Sequence, residues 1–462
     1  MAGSISTLGI GSGLELQSIL DQLKSADSIP IKQKQAKQLL YKDRISEFDV
    51  LQSKLLSTKS DALNLSLQST YLGSASSVSD SSIFTSSSVD GAALGSYHVK
   101  VNNLAKKSAW KADTGLSSGT DYVNSTGSDL SFSYEVDGKS TTLNVPTGTT
   151  LTAFASMIND DADNPGVKAS VVQDGTGSSA YKLLIQADST GETGRISMTG
   201  QLSSYNISET TGSGGASLNS ELEIDGVTYQ RSSNSISDIV SGATLNLQSV
   251  GEATLTIETD KTAIKDKIKS FVTNLTDVIS EIDTNDDYNK ETKVGGSFYN
   301  ISSLHLFKSQ LVNDVINPIN IDGSSITSAV DLGIEYTRDG KITLDEDTLS
   351  KAIDNNFDDV KKFLLGDSDN NITGWADTVN TRLRSATSSV DGLVKTEKDA
   401  SQTIYDKLSA QIINDQARLD KRYEIMSKQF LQLDKYMSSM NNMSTYLSQQ
   451  ITSMNAASSS NS

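Results

Sequence analysis

From Tyr405 onward every seventh residue is apolar: Tyr405, Ile412, Leu419, Met426, Leu433, Met440, Leu447 and Met454. A second seven-residue track, offset by four, carries Gln416, Tyr423, Phe430, Met437, Ser444 and Ile451. Spacing that alternates three and four predicts a coiled-coil helix, because a 3.5-residue repeat keeps one stripe facing a partner helix. The stripe is two residues wide per heptad, too narrow to build a core of its own. This pattern makes assembly, rather than catalysis, the first functional hypothesis.

The opening residues are helical as well. Leu16, Ile19, Leu20 and Leu23 form a short amphipathic patch that ends near residues 27–30, because Pro30 disfavours helix just before it. A second run places Leu40, Phe48, Leu51, Leu55, Ala62 and Leu65 at helical spacing. From residue 71 the period breaks into a Ser-rich stretch, a linker or a first edge strand. Alternating segments follow at 97–101, 130–136, 142–145, 168–172, 181–185, 222–224, 228–231, 244–247 and 253–258, interrupted by one helix at 151–158. Asp137-Gly138 and Asp225-Gly226 sit between such segments and predict hairpin turns. Helical periodicity returns at 261–282, 302–315, 349–364 and 372–384, with a hairpin at 334–344.

The fold class that results is α+β and multidomain: a helical, coiled-coil stalk formed by both chain termini, with an inserted β-rich head of two modules. The expected boundaries are 1–38 with 420–462 for a terminal assembly region, disordered when unassembled, and 39–75 with 261–419 for the stalk. One head module takes 76–130 with 201–260, and the other takes 131–200.

Composition narrows the function. The 462 residues carry a net charge of −18, which disfavours nucleic acid and anionic membranes, both of which are bound through Lys and Arg. No cysteine is present, so disulfides, thiolate nucleophiles and Cys-based metal sites are excluded, and export without oxidative folding fits. The first twenty residues lack a basic residue and a continuous apolar run, unlike a Sec-type signal peptide, and no stretch is apolar enough to span a membrane.

Several stretches resemble one family. Residues 4–14 (SISTLGIGSGL) are similar to the N-terminus of flagellar filament capping proteins, the hook-associated protein 2 family. Asp137-Gly138-Lys139, the segments 148–151 and 167–170, and 183–185 resemble the flagellar hook IN repeat. Ile224 to Val227, Arg231-Ser232-Ser233-Asn234 and 242–245 resemble the central block of the family, and Gln429 to Asp434 its C-terminal signature. Where the family favours Tyr-Asn, this chain has Asn274-Leu275. The resemblance implies a homo-oligomeric ring, expected to be a pentamer, at the distal tip of the flagellum. It would retain exported flagellin and promote its folding and polymerisation. It further implies secretion through the flagellar type III apparatus with a cytoplasmic export chaperone, no enzymatic activity and no cofactor. Some members adhere to host mucin, which makes a mucin-binding adhesin acting through the β-rich head the alternative function.

Candidate sites for chemistry read more simply as structure. Glu335, Thr337, Asp339, Gly340 and Glu346 have EF-hand spacing, but strand-like flanks make Asp339-Gly340 a hairpin turn. Residues 175–180 mimic a dinucleotide fingerprint yet lead into a strand rather than a helix. His98 and His305 have no catalytic constellation around them, and Asp345 to Asp347 read as a helix N-terminus. The seam has its own plain alternative, core packing within one domain, over 405–426. Beyond Lys435 no side chain is charged, and that tail is expected to need partner helices. The self-assembly and flagellin-contacting coil is accordingly assigned to Leu16, Ile19, Leu20, Leu23, Phe430, Leu433, Met437, Met440, Leu447, Ile451 and Met454, with the other cap subunits and flagellin as partners.

Overall fold

The computed structural model describes residues 15–175, 177–291 and 294–459. Residues 4–14, which carry part of the family resemblance, and Thr176 of the glycine-rich turn lie outside that range. The helices are α1 (Leu16–Asp27), α2 (Ile29–Leu65), α3 (Leu151–Asn159), α4 (Lys261–Asp286), α5 (Ser302–Ile316), α6 (Glu346–Asn355), α7 (Phe357–Leu365), α8 (Trp375–Ala386) and α9 (Leu393–Ser459). The chain divides into a helical unit drawn from its two ends, up to Leu67 and from Lys265, and a β-rich unit from Gln68 to Ile264 between them.

In the helical unit, α2 buries Phe48, Leu51, Leu55, Thr58, Ala62 and Leu65. Its steps of three and four residues keep one face turned towards α8 and α9, on which it packs. Trp375 opens α8 fully buried, its ring against Phe271 of α4 and Phe363 of α7. Its indole N–H donates to the Val315 carbonyl at 2.9 Å, so the largest core side chain leaves no polar group unpaired. Pro30 falls in the first turn of α2, where its missing N–H costs nothing, and α1 stops just before it.

Four boundaries differ from the sequence expectation. The helix expected over 349–364 is two helices, α6 and α7, because Asn356 leaves the helical region (φ −132°, ψ 40°). The helix expected from residue 372 starts at Trp375, after a small hairpin pairing Gly366–Asp367 with Ile372–Thr373. Gly366 and Gly374 pack so closely there that a Cβ on Gly374 would lie 2.3 Å from the Leu365 carbonyl carbon. The divisions expected at 38 and 419 fall inside α2 and α9, both of which run through unbroken. Ile334–Tyr336 and Ile342–Leu344 pair as a hairpin with Gly340 at φ +83°, so the EF-hand spacing serves a turn. Asp345 caps α6 by accepting from the N–H groups of Asp347 and Thr348.

The β-rich unit holds two cores. Around the first lies a five-stranded antiparallel sheet, in spatial order Ser74–Val78, Gly251–Thr259, Gly95–Asn103, Ser220–Ile224 and Val227–Arg231. A three-stranded sheet of Ser235–Ile236, Ala243–Leu247 and Phe84–Ser88 closes over it, and Phe84, Val99, Leu222, Leu245 and Leu255 fill the space. The Ser-rich stretch is thus two edge strands rather than a linker. The second core joins the sheet Ile207–Thr211, Lys107–Ala112, Tyr181–Thr190 and Val167–Gln173 to the sheet Lys139–Val145, Leu130–Val136 and Ile196–Gly200, with α3 packed among them. It reaches from Ala112 to Ile207, wider than the 131–200 expected, because the short strands Lys107–Ala112 and Ile207–Thr211 carry little alternation in their sequence yet pair with each other. Both Asp-Gly pairs are primed hairpin turns, with Asp137 at φ 51°, Gly138 at 74°, Asp225 at 50° and Gly226 at 85°.

Removing the Trp375 side chain should cost the helical unit about 3–5 kcal/mol, as for other large buried aromatics. Leu56→Ala, on an exposed face of α2, should cost no more than ~0.5 kcal/mol. Urea denaturation followed by helical circular dichroism checks both, and equal effects would remove Trp375 from the centre of this core.

Candidate assembly surface

α9 is 67 residues long, and its two halves meet different surroundings. Between Leu408 and Met437 it lies against α1 and α2. Leu20 and Ile31 from the N-terminal helices join Leu419 and Tyr423 in one apolar cluster, with Ile412, Met426 and Phe430 packed at its margin. Polar groups pin the same junction. The Tyr423 hydroxyl donates to Asp27 Oδ2 at 2.7 Å, and Arg422 reaches the same carboxylate at 3.1 Å. Lys24 pairs with Asp420 at 2.9 Å and Lys34 with Asp415 at 2.6 Å. Desolvation and the neighbouring Asp27 carboxylate push the Tyr423 phenol above its ordinary value, which keeps it a donor.

The packed face does not follow the heptad. Leu408, Leu419 and Phe430 lie eleven residues apart, as do Ile412, Tyr423 and Asp434, and Asp415, Met426 and Met437. All nine are buried or half-buried. An eleven-residue repeat corresponds to 3.67 residues per turn, close to a straight helix, whereas a heptad track drifts by ~20° each repeat. Over the three heptads from Ile412 to Leu433 that drift amounts to about 60°, and Leu433 has turned out to solvent, 42% exposed. Leu433 therefore lies off the face that packs within the chain.

Past Met437 the apolar positions return to heptad spacing, at Met440, Leu447, Ile451 and Met454, and nothing among the described residues covers them. Their exposure climbs along the helix from 45% at Met440 through 51% and 58% to 68% at Met454. The tail expected to be disordered is helical here to Ser459. Extending an existing helix avoids the nucleation cost that an isolated one would face.

The other assigned residues divide in the same way. Leu16 and Leu20 are buried, Phe430 and Met437 are half-buried, and Ile19 and Leu23 face outward. Sequence reasoning missed Ile31, Asp27, Lys34 and the acidic members of the packed face. The available signal was the eleven-residue spacing, hidden because two of its nine positions are aspartates. The two histidines are surface groups: His98 lies 3.9 Å from Glu252 and His305 3.4 Å from Asp286. Among the described residues no group of His, Asp and Glu is arranged to hold a metal ion, and no helix is long and apolar enough to cross a membrane.

The family model described as flagellar hook-associated protein 2 N-terminus matches residues 12–108, and the one described as its C-terminus matches 217–442. The chain belongs to the flagellar hook-associated protein 2 family. Between those matches, the flagellin hook IN motif covers 129–189, inside the second β core. Flagellar hook-associated protein 2 of Escherichia coli K12 is 29% identical, over 97% of this chain and 98% of its own length. The A-type protein of Pseudomonas aeruginosa is 25% identical, over 98% of each chain. The crystal structure of the D1-D2-D3 domains of the flagellar cap protein FliD from Escherichia coli, 24% identical, covers 77% of this chain and 99% of its own with a TM-score of 0.55, which extends the likeness to the fold. The family is a structural one, and the exposed apolar stripe of α9 lies in this member's C-terminal helix.

Leu419→Ala should cost about 2–5 kcal/mol and free α1 for proteolysis, whereas Leu433→Ala should cost no more than ~0.5 kcal/mol. Thermal melts with limited proteolysis at residues 15–28 check this; equal effects would restore the heptad as the packed register. Asp415 and Asp420 are held below the ordinary 3.8, chiefly by the Lys34 and Lys24 ammonium groups that donate to them. A lowered folded pKa gives stability that is present above the unfolded value and lost as the pH falls through the folded one. The junction should loosen progressively below about pH 3.8, by a small amount because these pairs are solvent-screened. Rising amide exchange in α1 over that range measures it.

Proposed function

We propose that this chain serves the filament-cap role of its family through the far end of α9. One observation carries this reading. One face of the helix is packed up to Met437, and beyond that it presents an uncharged, Met-rich heptad stripe with no cover among the described residues. Leaving that apolar surface in water is unfavourable by ~25 cal/mol per Å², so covering the stripe with other helices is favourable. Methionines suit a surface that must accept more than one neighbour, because their unbranched side chains repack easily.

In this reading the tails of several copies meet in a ring, with five as the expected number, at the distal tip of the filament. The exposed Ile19 and Leu23 of α1 and the stripe from Met440 to Met454 contact neighbouring cap subunits and flagellin. The ring retains flagellin as it emerges and favours its folding and insertion. Absence of cysteine and a weakly stabilised tail suit export as an unfolded chain through the flagellar type III apparatus, with a cytoplasmic chaperone covering the stripe until then. The tail of the free chain exchanges its amides quickly and becomes protected on assembly. Mucin binding through the β-rich unit draws no support from the comparisons.

A strain producing the chain truncated after Lys435 should still export it, yet shed unpolymerised flagellin into the medium. Immunoblots of culture supernatant and electron microscopy of filaments decide it, and filaments of normal number and length would refute the assignment.

A further inference from the structure

The second β core is inserted into the first, so the chain crosses between them twice: outward through Ala105 to Lys107 and back through 212–220. The return connector is glycine-rich, with Gly212, Gly214 and Gly215 at φ +99°, +70° and +80°. A segment of that composition is flexible unless something ties it. Here one guanidinium does so. Arg195 donates in a fork to both carboxylate oxygens of Glu192, at 2.7 and 3.0 Å, and to Glu209 at 2.8 Å. Its remaining N–H groups reach the backbone carbonyls of Gly212 at 3.1 Å and Ala216 at 2.6 Å, both in the connector. Glu192 in turn accepts from the Leu218 N–H at 2.9 Å, and its own N–H donates to the Asn219 side chain at 2.8 Å.

The two crossings are also stitched to each other and to the first core. Lys106 N–H donates to the Leu218 carbonyl, and Gly191 N–H to the Lys106 carbonyl, both at 2.9 Å. Thr190 Oγ1 donates to the Ser232 carbonyl at 2.6 Å. Gly191 approaches Ser232 so closely, at φ +79°, that a Cβ would lie 2.2 Å from the Ser232 Cα. The Asn234 side chain accepts from Ala105 N–H at 2.7 Å and donates to the Ala105 carbonyl at 3.0 Å, a two-point grip on the outgoing crossing. Within Arg231-Ser232-Ser233-Asn234, Ser232 and Asn234 are thus the residues on which the inserted core and its outgoing crossing rest.

We infer that Arg195 is a latch: by holding the glycine-rich return connector against Glu192 and Glu209, it locks the two β cores into one rigid body, and its removal lets the inserted core swing about the two crossings while both cores stay folded. Glu192 is pulled down to about 2 by the Arg195 hydrogen bonds and the Leu218 N–H. A lowered pKa gives a contribution lost only as the pH falls through the folded value, so the latch stays closed in mildly acid surroundings. Its donor fork is matched to a carboxylate and two carbonyls at once, which lysine cannot reproduce.

The full-length chain lacks cysteine, so a pair of spin labels can be placed cleanly at Lys139→Cys in the inserted core and Val227→Cys in the first, diluted with unlabelled chain. The unaltered latch should give one narrow distance distribution. Arg195→Ala and Arg195→Lys should broaden it, and hydrogen exchange of the 212–219 connector should rise at least tenfold while strands 99–101 and 183–185 keep their protection. An unchanged distribution in both variants would overturn the latch. Loss of protection within strands 183–185 would overturn it equally, since Arg195 would then be supporting the inserted core itself.

Discussion

The packing of α1 and α2 onto one face of α9 between Leu408 and Met437 is the constraint on which the assembly surface depends. It joins the N-terminal helices to α9, and it uses the apolar positions that could otherwise be mistaken for an assembly seam. Because the buried face repeats every eleven residues, it drifts less per residue around α9 than a heptad track would. The face ends where charge ends: after Asp434 and Lys435 there is no ion pair left with which to fix a neighbour. What remains is an amphipathic helix whose apolar side is open among the described residues.

Much of this architecture was legible in the sequence, because the periods that carry it are local. Residues such as Ile264, Ile268, Phe271 and Leu275 announce the face of α4, and the Asp-Gly turns at 137 and 225 announce their hairpins by the backbone conformation they require. The division of α9 was only half legible. Leu433 has the right letter at heptad spacing and the wrong angle, while Asp434 has the wrong letter and the right angle. Hydrophobic spacing sees letters, and the angle depends on which helix lies alongside. Ion pairs such as Lys34–Asp415 join residues hundreds of positions apart and leave no local trace. The extent of the second β core escaped for a related reason: Lys107–Ala112 is held in its sheet by neighbours on both sides rather than by its own pattern.

The two units solve different mechanical problems. The helical unit ends in a helix whose apolar stripe is uncovered among the described residues. The β-rich unit ties its glycine-rich connector down through Arg195, and Ser232 and Asn234 grip the inserted core and its outgoing crossing.

Photo-crosslinking in assembled filaments tests the division of α9 most directly. A crosslinking residue at Leu419 should give adducts within the chain, to the region of Leu20 and Ile31, and one at Leu447 should give adducts to other chains, flagellin or further copies of this protein. Intrachain adducts at Leu447, or interchain adducts at Leu419, would contradict the account.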